Sequence, residues 1–293
     1  MARHHPLMPF LAALAGVAFL SLMDAFMKEA SLVAGTYSAS VLRSLLGTAI
    51  IAPIWIGRGI KWPRREVMKL HLARGVVSAA MALSFFFALT KLPIAEAIAI
   101  SFIAPLIALY LARALLGEEI QPQAIFASLL GFGGCLIIVG RRVGQGEFDE
   151  DIALGLAALI FSALLYAFNF ILIRKQSQLA DPVEVAAFHS GIGALVQLLA
   201  APWFFMMPQT DVLYGITAAA FLTVVGAMAL AWAYARSEAQ ALVPLEYSGF
   251  LWASLFGWLF FREAVTLTTI AGTVLIVLGC LLATRQRTEQ TAV

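Results

Sequence analysis

The sequence predicts an all-α integral membrane protein: ten transmembrane helices, built as two inverted five-helix repeats, with the N- and C-termini in the cytoplasm. Three observations carry that expectation. Apolar residues make up 62% of the 293 residues and charged residues 12%, against about 45–50% and about 25% in soluble domains. The apolar residues gather into ten runs, many close to the ~20 residues a helix needs to cross the bilayer. Finally, the stretch from Ala88 to Gly140 is echoed by a second stretch that starts near Ala235, and internal repetition of this kind governs how the rest is read.

Taken in order, the runs are Pro9–Met27, Thr36–Ile56, Leu70–Leu89, Ile94–Leu116, Ala124–Val139, Ile152–Ile173, Val183–Phe205, Val212–Ala235, Leu242–Phe261 and Thr266–Ala283. Lipid leaves no water to satisfy an open backbone, so each is expected to be helical. They are also too long for barrel strands. The start, MARHHPLMPFLAALAGVAF, has the positive charge and apolar run of a signal peptide. It runs on too long without a convincing cleavage site, so it reads as an uncleaved first helix. The longest polar connections, Gly57–Lys69 and Arg141–Asp151, leave no room for a soluble domain.

Lys and Arg set the orientation, because cytoplasmic loops collect them. With the N-terminus inside, the inner face holds Arg3, Arg58, Lys61, Arg64, Arg65, Lys69, Arg74, Arg113, Arg174, Lys175, Arg236, Arg285 and Arg287. The outer face holds Lys28, Lys91, Arg141, Arg142 and Arg262. Thirteen against five decides for both termini inside. The chain is bacterial in style and shows no organelle signal, so the bacterial inner membrane is the expected location.

The echo aligns in detail. Placing Glu119 on Glu263 brings Ala95 onto Ala239 and Ala97 onto Ala241; a one-residue shift then brings Gly134-Cys135 onto Gly279-Cys280. In the first spans of each half, Asp24 falls on Tyr166 and Phe26 on Phe168. The repeats are residues 9–140 and 152–284. Each holds five spans, an odd number, so the second enters the membrane upside down. Two like-folded halves of opposite orientation are the plan of secondary transporters, with a substrate site near mid-membrane between them.

These residues carry a family resemblance across nearly the whole chain. Asp24-Ala25-Phe26-Met27-Lys28, Arg43, Ala88-Leu89, Pro93, Ala95-Glu96-Ala97, Pro105, Glu119, Gly131 and Gly140 resemble the drug/metabolite transporter superfamily, in the ten-helix type built from two EamA domains. Within it the chain is most similar to bacterial amino-acid exporters, including the aromatic amino-acid exporter. Where such proteins commonly carry an aromatic-Gly pair, this chain has Met23-Asp24. The resemblance implies export of small metabolites.

Polar groups inside spans cost about 2.5–3.5 kcal/mol for a central Asp or Arg, so each needs a reason. Asp24 reads either as a cavity acid that meets a substrate amine or carries a proton, or as the i,i+4 partner of Lys28. Arg43 could attract a carboxylate; the structural reading has it capping carbonyls, pairing with an acid or snorkelling. Glu96 and Glu246 stand near helix starts, where capping of the positive helix end competes with gating. Glu119 and Glu263, in matching hinges, read as structural.

Ser78, Met81, Phe85, Ser101, Tyr166, Asn169, Trp232 and Glu246 join Asp24 as candidates to line a substrate cavity, aromatic faces stacking on an apolar group while polar groups fix its other end. Lipid contact or an interfacial belt is the competing reading for the aromatics. His189 titrates near neutral pH when unperturbed, and a satisfied interhelical hydrogen bond is its alternative. Asp24, Glu96, His189 and Glu246 are the candidate proton carriers. Gly16, Pro105 and Gly249 are the candidate hinges, the last two at matching repeat positions.

Several classes are excluded. The net charge of +2 is spread over loops, unlike a nucleic-acid patch. Cys135 and Cys280 lie inside spans without metal-ligand spacing, no cofactor is implied, and both read as small packing residues. No Walker loop appears. An enzyme would need an acid, nucleophile or metal cluster at one depth, and the spans offer scattered single groups. A channel would want a continuous polar lining and a sensor an output domain; a channel- or sensor-type membrane protein stands as the alternative from a different class. The expectation is a non-enzymatic, monomeric secondary transporter whose partners are a small-molecule substrate and the lipid bilayer. It exports amino acids, including aromatic ones, by alternating access through a central cavity; nucleotide-like metabolites or drugs are the alternative cargo.

Overall fold

The computed structural model describes residues 7–59, 62–116, 122–144, 148–176, 179–234, 236, 242 and 245–291, and every regular element among them is helical. In chain order these are α1 (Met8–Ala34), α2 (Thr36–Gly57), α3 (Arg65–Lys91), α4 (Ile94–Ser101), α5 (Ala104–Leu116) and α6 (Pro122–Gly144). There follow α7 (Glu150–Gln176), α8 (Pro182–Leu198), α9 (Ala201–Phe204), α10 (Thr210–Tyr234), α11 (Gly249–Phe261) and α12 (Leu267–Thr291). The hinge with Glu118 and Glu119 lies outside the described residues.

Six stretches are long and apolar enough to cross a membrane: α1, α2, α3, α4 with α5, most of α7, and most of α10. Shorter apolar helices cover 128–141, 183–198, 249–261 and 267–279. Their outward faces carry large apolar side chains such as Leu129, Phe132, Leu136, Phe161, Leu251 and Leu259, each more than half exposed. Water would not tolerate so large an apolar surface, and lipid requires one. The chain is a multi-pass integral membrane protein.

The helices pack in recurring pairs: α1 on α10, α3 on α7, α2 on α8 and α6 on α12. Lipid tails are as apolar as leucine, so close backbone approach replaces the hydrophobic drive between helices. At the α6–α12 crossing a Cβ on Gly134 would stand 2.4 Å from the carbonyl oxygen of Gly272. Gly16 does the same service for α1. Its added Cβ would meet the Gly226 carbonyl of α10 at 3.0 Å, and α1 runs unbroken through it. The expected interruption at Gly16 is therefore corrected to a packing contact.

Hydropathy marks where lipid begins and not where helices end, which accounts for the other differences. The fourth run is two helices, α4 and α5, separated by turns at Phe102 and Ile103. Pro105 causes the break: it has no N–H to bond the Ser101 carbonyl, and its ring would press on that carbonyl. The seventh run stops at Leu198 before the one-turn α9. Before α11 the backbone turns again at Tyr247 and Ser248, and α11 starts on Gly249.

One end of the bundle is tied by polar groups. Lys28, in the last third of α1, donates to the Leu92 carbonyl at 2.7 Å and forms an ion pair with Glu263. The Ile94 amide donates to the other Glu263 oxygen at 2.8 Å. Arg262, with φ 57, makes the left-handed turn that points Glu263 inward; the Glu263 amide closes back on the Gly257 carbonyl at 3.1 Å. At the opposite end His71 sits between Glu184 (2.9 Å) and Gln176 (2.6 Å), and Arg74 donates to Gln176 at 2.7 Å.

Candidate functional site

At mid-depth, where α2, α3, α8 and α10 meet, the bundle encloses a cavity of about 60 Å³. Each helix gives it a stripe of small or polar residues at the three- and four-residue spacing that puts side chains on one helical face. From α2 come Arg43, Ser44 and Gly47; from α3, Ser78, Ala79 and Ala82. From α8 come His189, Ser190, Gly193 and Gln197, and from α10 Ala220, Thr223 and Val224. Small residues keep the helices close without filling the space between them.

Three buried polar atoms on this wall have no hydrogen-bond partner: Arg43 Nε, His189 Nδ1 and Gln197 Oε1. The Gln197 amide donates to Ser44 Oγ at 3.2 Å, which leaves its oxygen free. The Arg43 guanidinium lies over the Phe86 ring, 5.2 Å from its centre. Two expectations are corrected here. Among the described residues Arg43 forms no ion pair with an acid and its Nε has no hydrogen-bond partner, and His189 Nδ1 makes no interhelical hydrogen bond. Unpaired buried polar groups are rare and costly, so three of them on one cavity wall mark a place for ordered water or a polar ligand.

A second group of charges adjoins this wall. Asp24 of α1 is buried and feels the charge of Arg43, yet the two are not in contact as an ion pair. Tyr166 of α7 lies within electrostatic range of Asp24 and of Glu246, just before α11. Ser78 Oγ donates to Asn169 Oδ1 at 3.5 Å, linking α3 to α7 beside the cavity. Asp24, Ser78, Tyr166, Asn169, His189 and Glu246 thus gather around the middle of the bundle.

The remaining candidates lie elsewhere. Met81 contributes its carbonyl, which accepts from Ser162 Oγ at 3.0 Å. Phe85 packs on Phe86 with ring centres 5.8 Å apart. Trp232 stands near the end of α10, two turns beyond the cavity, under the Arg236 guanidinium at 4.3 Å. Glu96 is buried in the first turn of α4, where Thr269 Oγ1 donates to it at 3.5 Å. Ser101 ends α4 at the break, and the Phe102 ring there meets the Tyr247 ring edge-on, centres 5.2 Å apart. The two helix breaks therefore face each other.

Sequence reading missed Ser44, Ser190, Gln197 and Thr223, and it weighed Arg43 chiefly as a structural residue. A signal was available in the periodic small and polar stripes of the second, seventh and eighth spans. Among the described residues no group of His, Cys, Asp and Glu could hold a metal ion.

Comparison with known proteins agrees with this architecture. The description of the EamA-like transporter family matches residues 7–140 and again 153–285. The chain is 29% identical to the pseudopaline exporter CntI of Pseudomonas aeruginosa over 278 residues, 94% of this chain and 95% of that one. It is 25% identical to a riboflavin transporter of Brucella anthropi, covering 83% of this chain and 85% of the relative. It is 24% identical to an S-adenosylmethionine uptake transporter of Rickettsia prowazekii, covering 83% and 80%. A solved structure at 19% identity superposes with a TM-score of 0.64 over 95% of this chain and 98% of that one, a likeness of fold.

Proposed function

The chain belongs to the EamA-like transporter family, and from that premise we propose that it is a secondary transporter exporting amino acids, aromatic ones among them, across the bacterial inner membrane. The observation that carries this reading is the mid-depth cavity, whose walls come from α2 and α3 of one half and α8 and α10 of the other. Midplane sites between two halves are where secondary transporters bind their cargo. Asp24 meets the substrate amine, and Tyr166 offers a ring for its side chain.

The packing supports ten spans in two inverted halves. Exchanging α1 with α7, α2 with α8, α3 with α10 and α6 with α12 turns the α1–α10 contact into α7–α3. The same exchange returns α2–α8 and α6–α12 to themselves. Under it, each half is residues 9–140 or 152–284 and both termini face the cytoplasm. The breaks before Pro105 and Gly249 then become matched hinges about which one half rocks against the other. Export is favoured over uptake by the likeness to an exporter along nearly its full length.

The test uses the purified chain in liposomes loaded with a mixture of amino acids, following which of them leave with and without a proton gradient. Selective efflux, faster under the gradient if Asp24, His189 or Glu246 carries a proton, is the expected result. Asp24→Asn should leave a folded protein with efflux reduced roughly tenfold or more, the loss of one charge-assisted contact. If no amino acid leaves, the substrate reading fails and ring-bearing cargo of the nucleotide or flavin kind takes its place.

A further inference from the structure

We infer that the cavity wall formed by Arg43, His189 and Gln197 is a binding site for a carboxylate head group, and that the transported molecule carries one there. The inference deepens the proposed function and rests on it for the cargo, while binding itself can be measured without transport.

An arginine inside a span is expensive and normally finds a carboxylate, a backbone carbonyl or the interface. Among the described residues Arg43 has no such carboxylate: its Nε is buried and unbonded, and its guanidinium lies over the Phe86 ring. The ring meets the cation without accepting a conventional hydrogen bond from it, so Nε–H stays free. A guanidinium presents its donors in a rigid fork matched to the two oxygens of a carboxylate. Asp24, the nearest acid by its electrostatic effect, holds back from contact. The two charges thus influence each other without forming an ion pair, which suits a ligand that brings both signs.

The rest of the wall narrows the chemistry. Gln197 Oε1 is an acceptor with nothing donating to it, and His189 Nδ1 is unbonded. A bare inorganic anion would leave the Gln197 oxygen unsatisfied. An ammonium or hydroxyl beside a carboxylate satisfies both, as the head group of an amino acid or a hydroxy acid does. The size agrees. At about 60 Å³ the cavity is well above the roughly 10–15 Å³ needed to admit a single water, so it has room for a small polar group. A head group fits; a side chain must reach beyond it toward Tyr166.

The experiment measures binding by the thermal unfolding of the purified full chain in detergent, with L-phenylalanine, L-phenylalaninamide and phenylethylamine as probes. These share the ring and the amine and differ only in the carboxylate. The wild type should be stabilised by the acid at concentrations where amide and amine do nothing. Arg43→Gln should weaken that response roughly 10- to 100-fold, as loss of a charge-assisted contact does, and Arg43→Lys should recover part of it. Without ligand, Arg43→Gln should unfold close to the wild type, because it removes a buried charge that has no ion pair and loses only the contact with the Phe86 ring.

Equal stabilisation by acid, amide and amine, no response to the acid, or an unchanged response in Arg43→Gln would each overturn the inference. A lower ligand-free midpoint in Arg43→Gln with an unchanged acid response would also overturn it, returning the arginine to a structural role. Acid binding without efflux would leave the head-group site standing and remove the exporter reading. Efflux that ignores Arg43 would do the reverse.

Discussion

Lys28 and Glu263 illustrate how single residues are placed in this bundle. Both are largely buried, and each bonds a backbone group at the α3–α4 junction as well as its partner. Sequence spacing offers Lys28 a neighbour one turn away in Asp24; the fold gives it Glu263 from the other half of the chain. Removing one partner of a buried pair leaves an uncompensated charge, which costs about 3–5 kcal/mol. Lys28→Met should therefore destabilise the protein by about that much, and the double variant Lys28→Met/Glu263→Gln should regain most of it. Unfolding midpoints of the four proteins of this cycle check the claim; simple additivity of the two changes would contradict it. Arg43 and Asp24 differ in kind, since those two charges interact without forming an ion pair.

The elements are set by two devices, glycine for approach and helix breaks for direction. Gly134 and Gly272 bring α6 and α12 so close that an added Cβ on either would stand about 2.4–2.6 Å from the other's carbonyl oxygen. Gly134→Ala should cost about 1–3 kcal/mol through overpacking. Gly133→Ala, one residue earlier with nothing within 4 Å of its Cβ, should cost nothing and gain a little helix propensity. A loss of stability in Gly133→Ala equal to that in Gly134→Ala would refute the packing account. The apolar runs were legible in the sequence because lipid demands them. Pro105 was legible because its chemistry is local: a ring and a missing N–H break a helix wherever they stand. The cavity was not legible to the same degree. Ser44, Ser190 and Gln197 are ordinary residues until four helices from distant parts of the chain bring their faces together. The partners of Lys28 and Arg43 depend on tertiary distances that spacing along one helix does not encode.

For the molecule as a whole, a paired packing scheme surrounds a polar cavity at mid-depth. Polar contacts tie both ends: Lys28 with Glu263 at one, His71 with Glu184 and Gln176 at the other. In the proposed alternating-access cycle each set of contacts would open in turn, with the turns at Phe102–Ile103 and Tyr247–Ser248 as the proposed points of bending. The central claim is that cargo crosses on a site that faces one side at a time, and counterflow tests it most directly. Liposomes holding the protein are loaded with a high concentration of unlabelled substrate and diluted into a trace of labelled substrate. The account predicts that label accumulates inside transiently, above its outside concentration, driven by unlabelled molecules leaving on the same carrier. It also predicts that uptake saturates and that Arg43→Gln abolishes the overshoot. Label that merely equilibrates, at a rate linear in concentration and indifferent to the load inside, would mean a pore and would contradict the account.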